Sequence, residues 1–323
     1  MIGKYEIEIY NNRVHYFLTV RRNITILQGN SATGKTELIR LIGEYEQNGV
    51  SSGITVKCDV RCTVLTSVDW ELRLGALKGS IVFIDETAAF IKSKRFAEMV
   101  RGADNYFVIV TRDDLNQLPY SVEEIYGLRT DISKYKRFRK VYNEIYKLYN
   151  TGVNTQLKPD LVLTEDSNSG NQCFAQIYNC PCEPAGGKSQ VYNKIRRSEN
   201  SSILVIIDGA AFGSEMGKVS RYLLQSNKNC VLYAPESFEY LILKSGIISV
   251  PDEVLQETYM FADSCKYLNW EEFYTSYLIE STAGTIFKYN KSQLGEAYRT
   301  TGTIRKIINV LPEQIRPDPE SAG

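Results

Sequence analysis

Residues Gln28 to Thr36 read Gln-Gly-Asn-Ser-Ala-Thr-Gly-Lys-Thr, a G-x-x-x-x-G-K-T spacing directly after the apolar run Ile24-Thr25-Ile26-Leu27. This pattern suits one chemistry, the gripping of a nucleoside triphosphate. Gly29 and Gly34 let the backbone bend so that the N–H groups of Asn30, Ser31, Ala32 and Thr33 point inward at phosphate oxygens. A helix starting near Gly34 adds its positive end. Lys35 is placed to reach the β- and γ-phosphates, and the Thr36 hydroxyl to join the Mg²⁺ shell. The apolar residues that follow (Leu38, Ile39, Leu41, Ile42, Tyr45) recur at helical spacing.

A second group lies at Ser80-Ile81-Val82-Phe83-Ile84-Asp85-Glu86. Four consecutive apolar residues predict a buried, parallel strand that delivers two carboxylates at its end. With a phosphate loop upstream this is the Walker B arrangement: Asp85 holds Mg²⁺, and Glu86 orients or deprotonates the attacking water. A third buried run, Tyr106 to Val110, ends in Thr111-Arg112-Asp113-Asp114. Thr111 is the candidate to sense the γ-phosphate, and Arg112 or Arg101 the candidate to stabilise developing charge.

The second half carries acids at strand ends. Leu161-Val162-Leu163-Thr164 leads to Glu165-Asp166, Ser202 to Ile207 leads to Asp208-Gly209, and Cys230 to Ala234 leads to Pro235-Glu236. In open α/β sheets that edge is where ligands bind. The Gly186-Gly187-Lys188-Ser189 turn is expected to start a helix. Cys173, Cys180 and Cys182 invite a zinc reading but lack a fourth ligand nearby.

Two resemblances follow. A hairpin feeding a strand that ends in a P-loop resembles the start of ABC-type and RecF-type ATPases, without their signature insertion. The Glu165, Asp208-Gly209 and Glu236 pattern over residues 159–245 resembles a Toprim domain. That resemblance implies Glu165 as acid/base or metal ligand, Asp208 as the first aspartate of D-x-D, and Glu236 as the downstream acid of OLD-type variants. Mg²⁺ or Mn²⁺ would be their ion. Ala210 stands where the second aspartate is expected, which weakens a two-metal site.

The elements needed to position these residues are legible in the pattern. Tyr5, Ile7 and Ile9, then Val14, Tyr16, Leu18 and Val20, alternate around Asn11-Asn12 as a hairpin whose asparagines are expected at positive φ. Residues 131–150 place Tyr135, Phe138, Tyr142, Ile145 and Tyr149 on one helical stripe, with Lys134, Lys136, Arg137, Arg139 and Lys140 beside it. The stripe is expected to pack on a domain; stacking on a nucleic-acid strand is the other reading. A linker follows at 152–159, and mostly helical segments are expected after residue 245, at Pro251–Met260, Trp270–Glu280 and Ser292–Val310.

Composition sets the bounds. The 323 residues are 43% hydrophobic and 24% charged, with 38 basic and 38 acidic side chains. That length favours two domains, and zero net charge confines any nucleic-acid contact to local patches. No run is long enough to cross a bilayer. Seven cysteines without a signal-like N-terminus suggest a reducing cytoplasm. The single histidine, His15, argues against a Ser-His-Asp triad and is expected on the surface or in a sheet.

The expectation is an α/β protein: a P-loop NTPase sandwich over 1–130, a basic aromatic connector over 131–158, and a Toprim-like α/β domain with C-terminal helices over 159–323. Its function would be ATP binding and hydrolysis that controls metal-dependent processing of DNA or RNA, and the OLD-type resemblance implies defence against phage or mobile DNA. A homo-oligomer would complete the nucleotide site. A regulatory switch with a degenerate Toprim-like half, and a P-loop kinase, stay open as alternatives.

Overall fold

A computed structural model describes residues 1–29, 34–131, 134 and 140–317. The chain divides into two compact units: residues 1–150 with 257–269, and residues 151–256 with 270–323. The backbone therefore passes between units three times, after Asn150, Gln256 and Asn269. Both units are α/β. Among the described residues, no helix is long and apolar enough to cross a membrane.

The first unit is built on a nine-stranded sheet. In chain order its elements are β1 (Tyr5–Tyr10), β2 (Val14–Val20), β3 (Ile24–Leu27), α1 (Lys35–Asn48), β4 (Thr55–Lys57), β5 (Arg61–Val64), α2 (Trp70–Ala76), β6 (Ser80–Ile84), α3 (Lys94–Val100), β7 (Asn105–Val110), β8 (Ile125–Asp131) and β9 (Val141–Lys147). The spatial order is β4-β1-β2-β9-β8-β3-β7-β6-β5. From β8 to β5 every neighbour pair is parallel. This explains the nearly continuous apolar spelling of β3, β6 and β7, interrupted by the buried Thr25, Ser80 and Asn105: strands covered on both faces have no solvent side to alternate with. The other flank contains the β1–β2 hairpin and its antiparallel partner β4.

α1 packs on one face of this sheet through Leu38, Leu41 and Ile42, in one core with Ile7, Ile9 and Leu18 from the hairpin and Phe83 and Val108 from the central strands. Each such fully buried side chain is worth about 1.5–3 kcal/mol of burial free energy, which ties the helix behind the phosphate loop to the strands in front of it.

Three expectations are corrected. The hairpin asparagines do not use positive φ; among the described residues Asp69 is the one non-glycine there. Instead, Asn11 Oδ1 accepts from the backbone N–H groups of Arg13 and Val14 at 2.8 and 2.9 Å, so a side-chain turn replaces the backbone one. The connector is not the expected continuous α-helix: Val141–Lys147 is strand β9, parallel to β2 and antiparallel to β8. Aromatic residues at helical spacing also satisfy a strand once β-rich neighbours offer a ladder, and Tyr142 is buried in one. Tyr135, Lys136, Arg137, Phe138 and Arg139 lie outside the described residues. Finally, Ser292–Val310 holds a short 3-10 turn at Glu296–Arg299 and is α-helical only from Thr301, where the Thr300 hydroxyl accepts from Thr303 N–H and starts the helix. His15 is a sheet residue on β2, and it is buried there with Nε2 2.8 Å from Glu8 Oε1.

The second unit holds a four-stranded sheet of β10 (Leu161–Thr164), β11 (Cys182–Pro184), β12 (Ser202–Ile206) and β13 (Asn229–Tyr233), in the order β11-β10-β12-β13. All pairs are parallel. Helices α4 (Ser169–Ile177), α5 (Lys188–Arg197) and α6 (Gly213–Gln225) make the crossovers; α7 (Phe238–Lys244), α8 (Asp252–Gln256), α9 (Trp270–Thr282) and α10 (Thr301–Val310) follow.

Candidate functional sites

In the first unit, β3, β6 and β7 run parallel, so the residues after them share one edge of the sheet. Because β7 lies between β3 and β6, Thr111 stands between the phosphate loop and Asp85-Glu86. Lys35 opens α1 and is 6% exposed, with Nζ donating to the Gly29 carbonyl at 3.1 Å. Burial lowers the Lys35 pKa, opposed by the nearby Glu86 carboxylate. The lysine thus interacts electrostatically with the carboxylate at the end of β6, 51 residues away in sequence. Asn30, Ser31, Ala32 and Thr33 lie outside the described residues. Thr36 is exposed on the first turn of α1.

The acids are held by short-range contacts. Asp85 Oδ1 accepts from Thr87 N–H at 3.0 Å, while Asp85 Oδ2 is buried without a hydrogen-bond partner among the described residues. Glu86 forms a two-pronged pair with Arg112, each contact at 3.0 Å. The buried Thr111 hydroxyl donates to Asp113 O and accepts from Asp113 N–H, which shapes the loop after β7. Arg101 stands at the other end: it follows α3, before β7 begins, and six residues of strand span about 20 Å. Of the two arginines considered, Arg112 is the one at this edge.

Tyr16 carries no sequence signal beyond its place in an alternating strand, yet it holds Gly34. Its hydroxyl donates to the Gly34 carbonyl at 2.9 Å. Gly34 itself has φ of 91°, and a Cβ there would lie 2.8 Å from the Tyr16 oxygen. Gly34→Ala is expected to cost roughly 1–2 kcal/mol and to weaken nucleotide binding. Pairing it with Tyr16→Phe, which removes the clashing oxygen, should recover part of that loss in denaturant melts, since φ strain alone would persist.

In the second unit the chain goes from β10 to β11 on one side and then to β12 on the other. The crevice between β10 and β12 is the switch point at which open parallel sheets bind ligands. Glu165 and Asp208 follow those two strands. They line a cavity of about 40 Å³ with Asp166, Ser169, Glu239 and Lys291, room for little more than a water or an ion. Asp208 Oδ1 accepts from Phe238 N–H at 3.2 Å. Glu165 accepts from the Asp208 backbone N–H, yet its Oε2 is buried without a partner.

Electrostatics in this cavity is governed by crowding of acids. Burial, then the neighbouring Glu271, pushes the Glu165 pKa up to about 7. Asp208 is raised well above the usual range by burial and by Glu271, Glu165 and Glu239. Lys291 is the counterweight: it bonds Glu271 Oε1 and lines the cavity. Tyr289 donates to Glu239 Oε1 at 2.8 Å and lies 2.7 Å from Ser169 Oγ, and the Ser169 N–H donates to Lys291 O, so the 289–291 segment is fastened to α4.

Glu239, Glu271, Tyr289 and Lys291 escaped the sequence reading because they come from α7, α9 and the loop after α9, with no local pattern. Glu236 is not among the residues lining this cavity; its carbonyl accepts from Ala210 N–H at 3.1 Å. Ala210 is buried, so the position of the missing aspartate is filled by packing. Gly209 is required by close approach: a Cβ would lie 2.7 and 2.8 Å from the Ala234 and Pro235 carbonyl oxygens. Among the described residues, the trio of ligand atoms within 4.8 Å of one another is Asp104, Asp263 and Cys265 in the first unit, where the Met1 ammonium pairs with both aspartates. Glu165, Asp208 and Glu236 do not form such a trio. The seven cysteines are all free.

No family model, no curated protein and no solved structure matches the chain. Its function has to be argued from these two sites.

Proposed function

We propose that the first unit binds ATP and hydrolyses it, and that its nucleotide state controls a Toprim-like second unit acting on phosphodiesters of DNA or RNA. The observation that carries the reading is the convergence on one sheet edge of Lys35, coupled to Glu86, with the partnerless buried Asp85 Oδ2. A buried carboxylate oxygen without a donor is costly unless a cation completes it. The residues therefore fit Mg²⁺ with ATP, held by Thr36, Asp85 and the loop. When bound, Mg²⁺ supplies neutralisation of phosphate charge.

The chain's own groups account for the rest. Lys35 offers a desolvated ammonium to phosphate oxygens, which strengthens the contact relative to water. Glu86 takes the proton of the attacking water once released from Arg112, and Arg112 then lies free to face the charge that develops. Tyr16 holds the Gly34 carbonyl just ahead of Lys35.

In the second unit the acids fit one hard cation between Glu165 and Asp208 better than two. The ligand trio is not assembled, and Lys291 already places a positive charge in the cavity. The same two observations favour, as a second reading, a switch that binds its partner without cutting it. One experiment separates them: the purified protein is incubated with plasmid and single-stranded DNA, ATP, and Mg²⁺ or Mn²⁺, while phosphate release and strand integrity are followed. Cleavage that disappears in Glu165→Ala and Asp208→Ala supports the nuclease reading. ATP turnover with intact strands supports the switch, and absence of both sinks the proposal.

A further inference from the structure

Helix α4 borders two cavities. Its first half lines the acidic crevice, and its second half, with Ala175 and Gln176, lines a larger cavity of about 800 Å³ closed by α10 and the segment after it. That volume is in the range of small-ligand sites. Its lining is of opposite character to the crevice. Arg299, Arg305 and Arg316 face Glu313, a net charge of +2 from three cations and one anion.

These arginines are not neutralised by buried carboxylates. Arg316 donates to the Leu311 and Asn309 carbonyls at 2.8 and 2.7 Å. Arg299 donates to the Leu294 carbonyl and to Gln172 Oε1, and its one acidic neighbour, Glu296, is 3.8 Å away and almost fully exposed. Neutral acceptors fix the guanidinium planes and leave their charge in place. The Arg305 side chain makes no hydrogen bond or ion pair among the described residues. Between the cations, Ile304 and Ile308 supply an apolar wall, and the side-chain amides of Gln156, Gln176, Asn179 and Asn309 supply paired donors and acceptors.

We propose that this cavity binds a phosphate-bearing nucleotide unit, the phosphate on the guanidinium groups and the base against the isoleucines and amides. Fixed guanidiniums match phosphate oxygens two at a time. An apolar wall beside amides gives a base both a face to lie on and edges to read. Neither a simple anion nor an apolar peptide would use all three surfaces. The unit could belong to a strand or to a free nucleotide, and the strand is the expected source only if the second unit acts on phosphodiesters, as proposed above. In that case Ser169 and Gln176, seven residues apart on α4, put the two cavities roughly 10 Å apart, about three stacked-base steps. A strand anchored here would run toward Glu165 and Asp208.

The test uses the full chain carrying Lys35→Ala, so that the phosphate loop does not compete, in chelator. Fluorescence anisotropy follows a 5′-phosphorylated, labelled dodecathymidine, and AMP is added as competitor. Arg305→Glu is expected to weaken binding about tenfold or more and to lower the salt slope by about one to two phosphate contacts. Glu313→Gln is expected to tighten binding severalfold. Competition by AMP at concentrations comparable to the strand's would identify the free nucleotide as the source; its failure to compete would identify the strand. Binding unchanged within twofold in both variants, with unaltered melting curves, overturns the assignment. Loss of ATP turnover in the unmodified protein would not touch it, which keeps the two proposals separable.

Discussion

Lys35→Ala should lower ATP turnover by about a hundredfold or more, the scale on which losing one preorganised charge-stabilising donor reduces kcat. It should also abolish the thermal stabilisation that saturating Mg²⁺-ATP gives the unmodified protein, which amounts to about 2.7 kcal/mol at a hundred times Kd. The reasoning starts from burial. The Lys35 ammonium is largely removed from water, which strengthens its pull on an anion placed beside it. Alanine removes that charge and leaves the loop's remaining amides to hold a highly charged triphosphate alone. Glu86→Gln should split the two effects: binding persists and turnover falls, because the amide keeps the shape and loses the base. Calorimetry and phosphate release measure both quantities. Wild-type affinity in Lys35→Ala would place the nucleotide elsewhere or nowhere.

How much of this was legible in the sequence depends on the range of the interaction. β3, β6 and β7 announce themselves because a strand buried on both faces is apolar at nearly every position. The acids at their ends, and those after β10 and β12, follow from the same strands, so Lys35, Asp85, Glu86, Glu165 and Asp208 could be named without coordinates. What could not be read was pairing. Tyr142 and Ile145 fit a helical stripe as well as the β9 ladder, and the choice is made by β2 and β8, which are distant in sequence. Residues 257–269 look like ordinary C-terminal chain, yet they belong to the first unit: Asn23 Nδ2 donates to the Tyr267 carbonyl at 3.0 Å. Lys291 changes the meaning of the acidic crevice, and nothing near it in sequence says so. The loop that decides the first site illustrates the opposite case. There the spacing alone is informative, because a bent backbone, a lysine and a hydroxyl must occur within a few residues of one another.

The acidic crevice leads to a prediction in which function and stability pull apart. In chelator at pH 8, Glu165→Gln should be more stable than the unmodified protein by on the order of 3–4 kcal/mol, one pKa unit being worth about 1.4 kcal/mol. Glu165 has its pKa raised to about 7 in the folded protein by burial and by Glu271, against about 4.3 in an unfolded chain. Between those values the folded state holds a proton that the unfolded state has released. Stability therefore falls as pH rises through this window, and above the upper value the full cost of the buried charge is present. Glutamine keeps the volume and the carbonyl oxygen that accepts from Asp208 N–H, and it carries no charge at any pH. The advantage of the variant should accordingly be large at pH 8 and vanish near pH 4. Glu271 and Asp166 repel the same charge, Asp208 interacts with it, and Lys188 offsets part of it, while Glu239 and Lys291 act on the neighbouring Asp208. Melting curves across pH measure the difference. A variant no more stable than the parent at pH 8 would mean that the crevice solvates its carboxylates better than its geometry implies. Adding Mg²⁺ or Mn²⁺ then reads the cost from the other side: a cation bound between Glu165 and Asp208 should raise the melting temperature of the parent at pH 8 and leave Glu165→Gln nearly unmoved, because only the parent carries the charge the ion relieves.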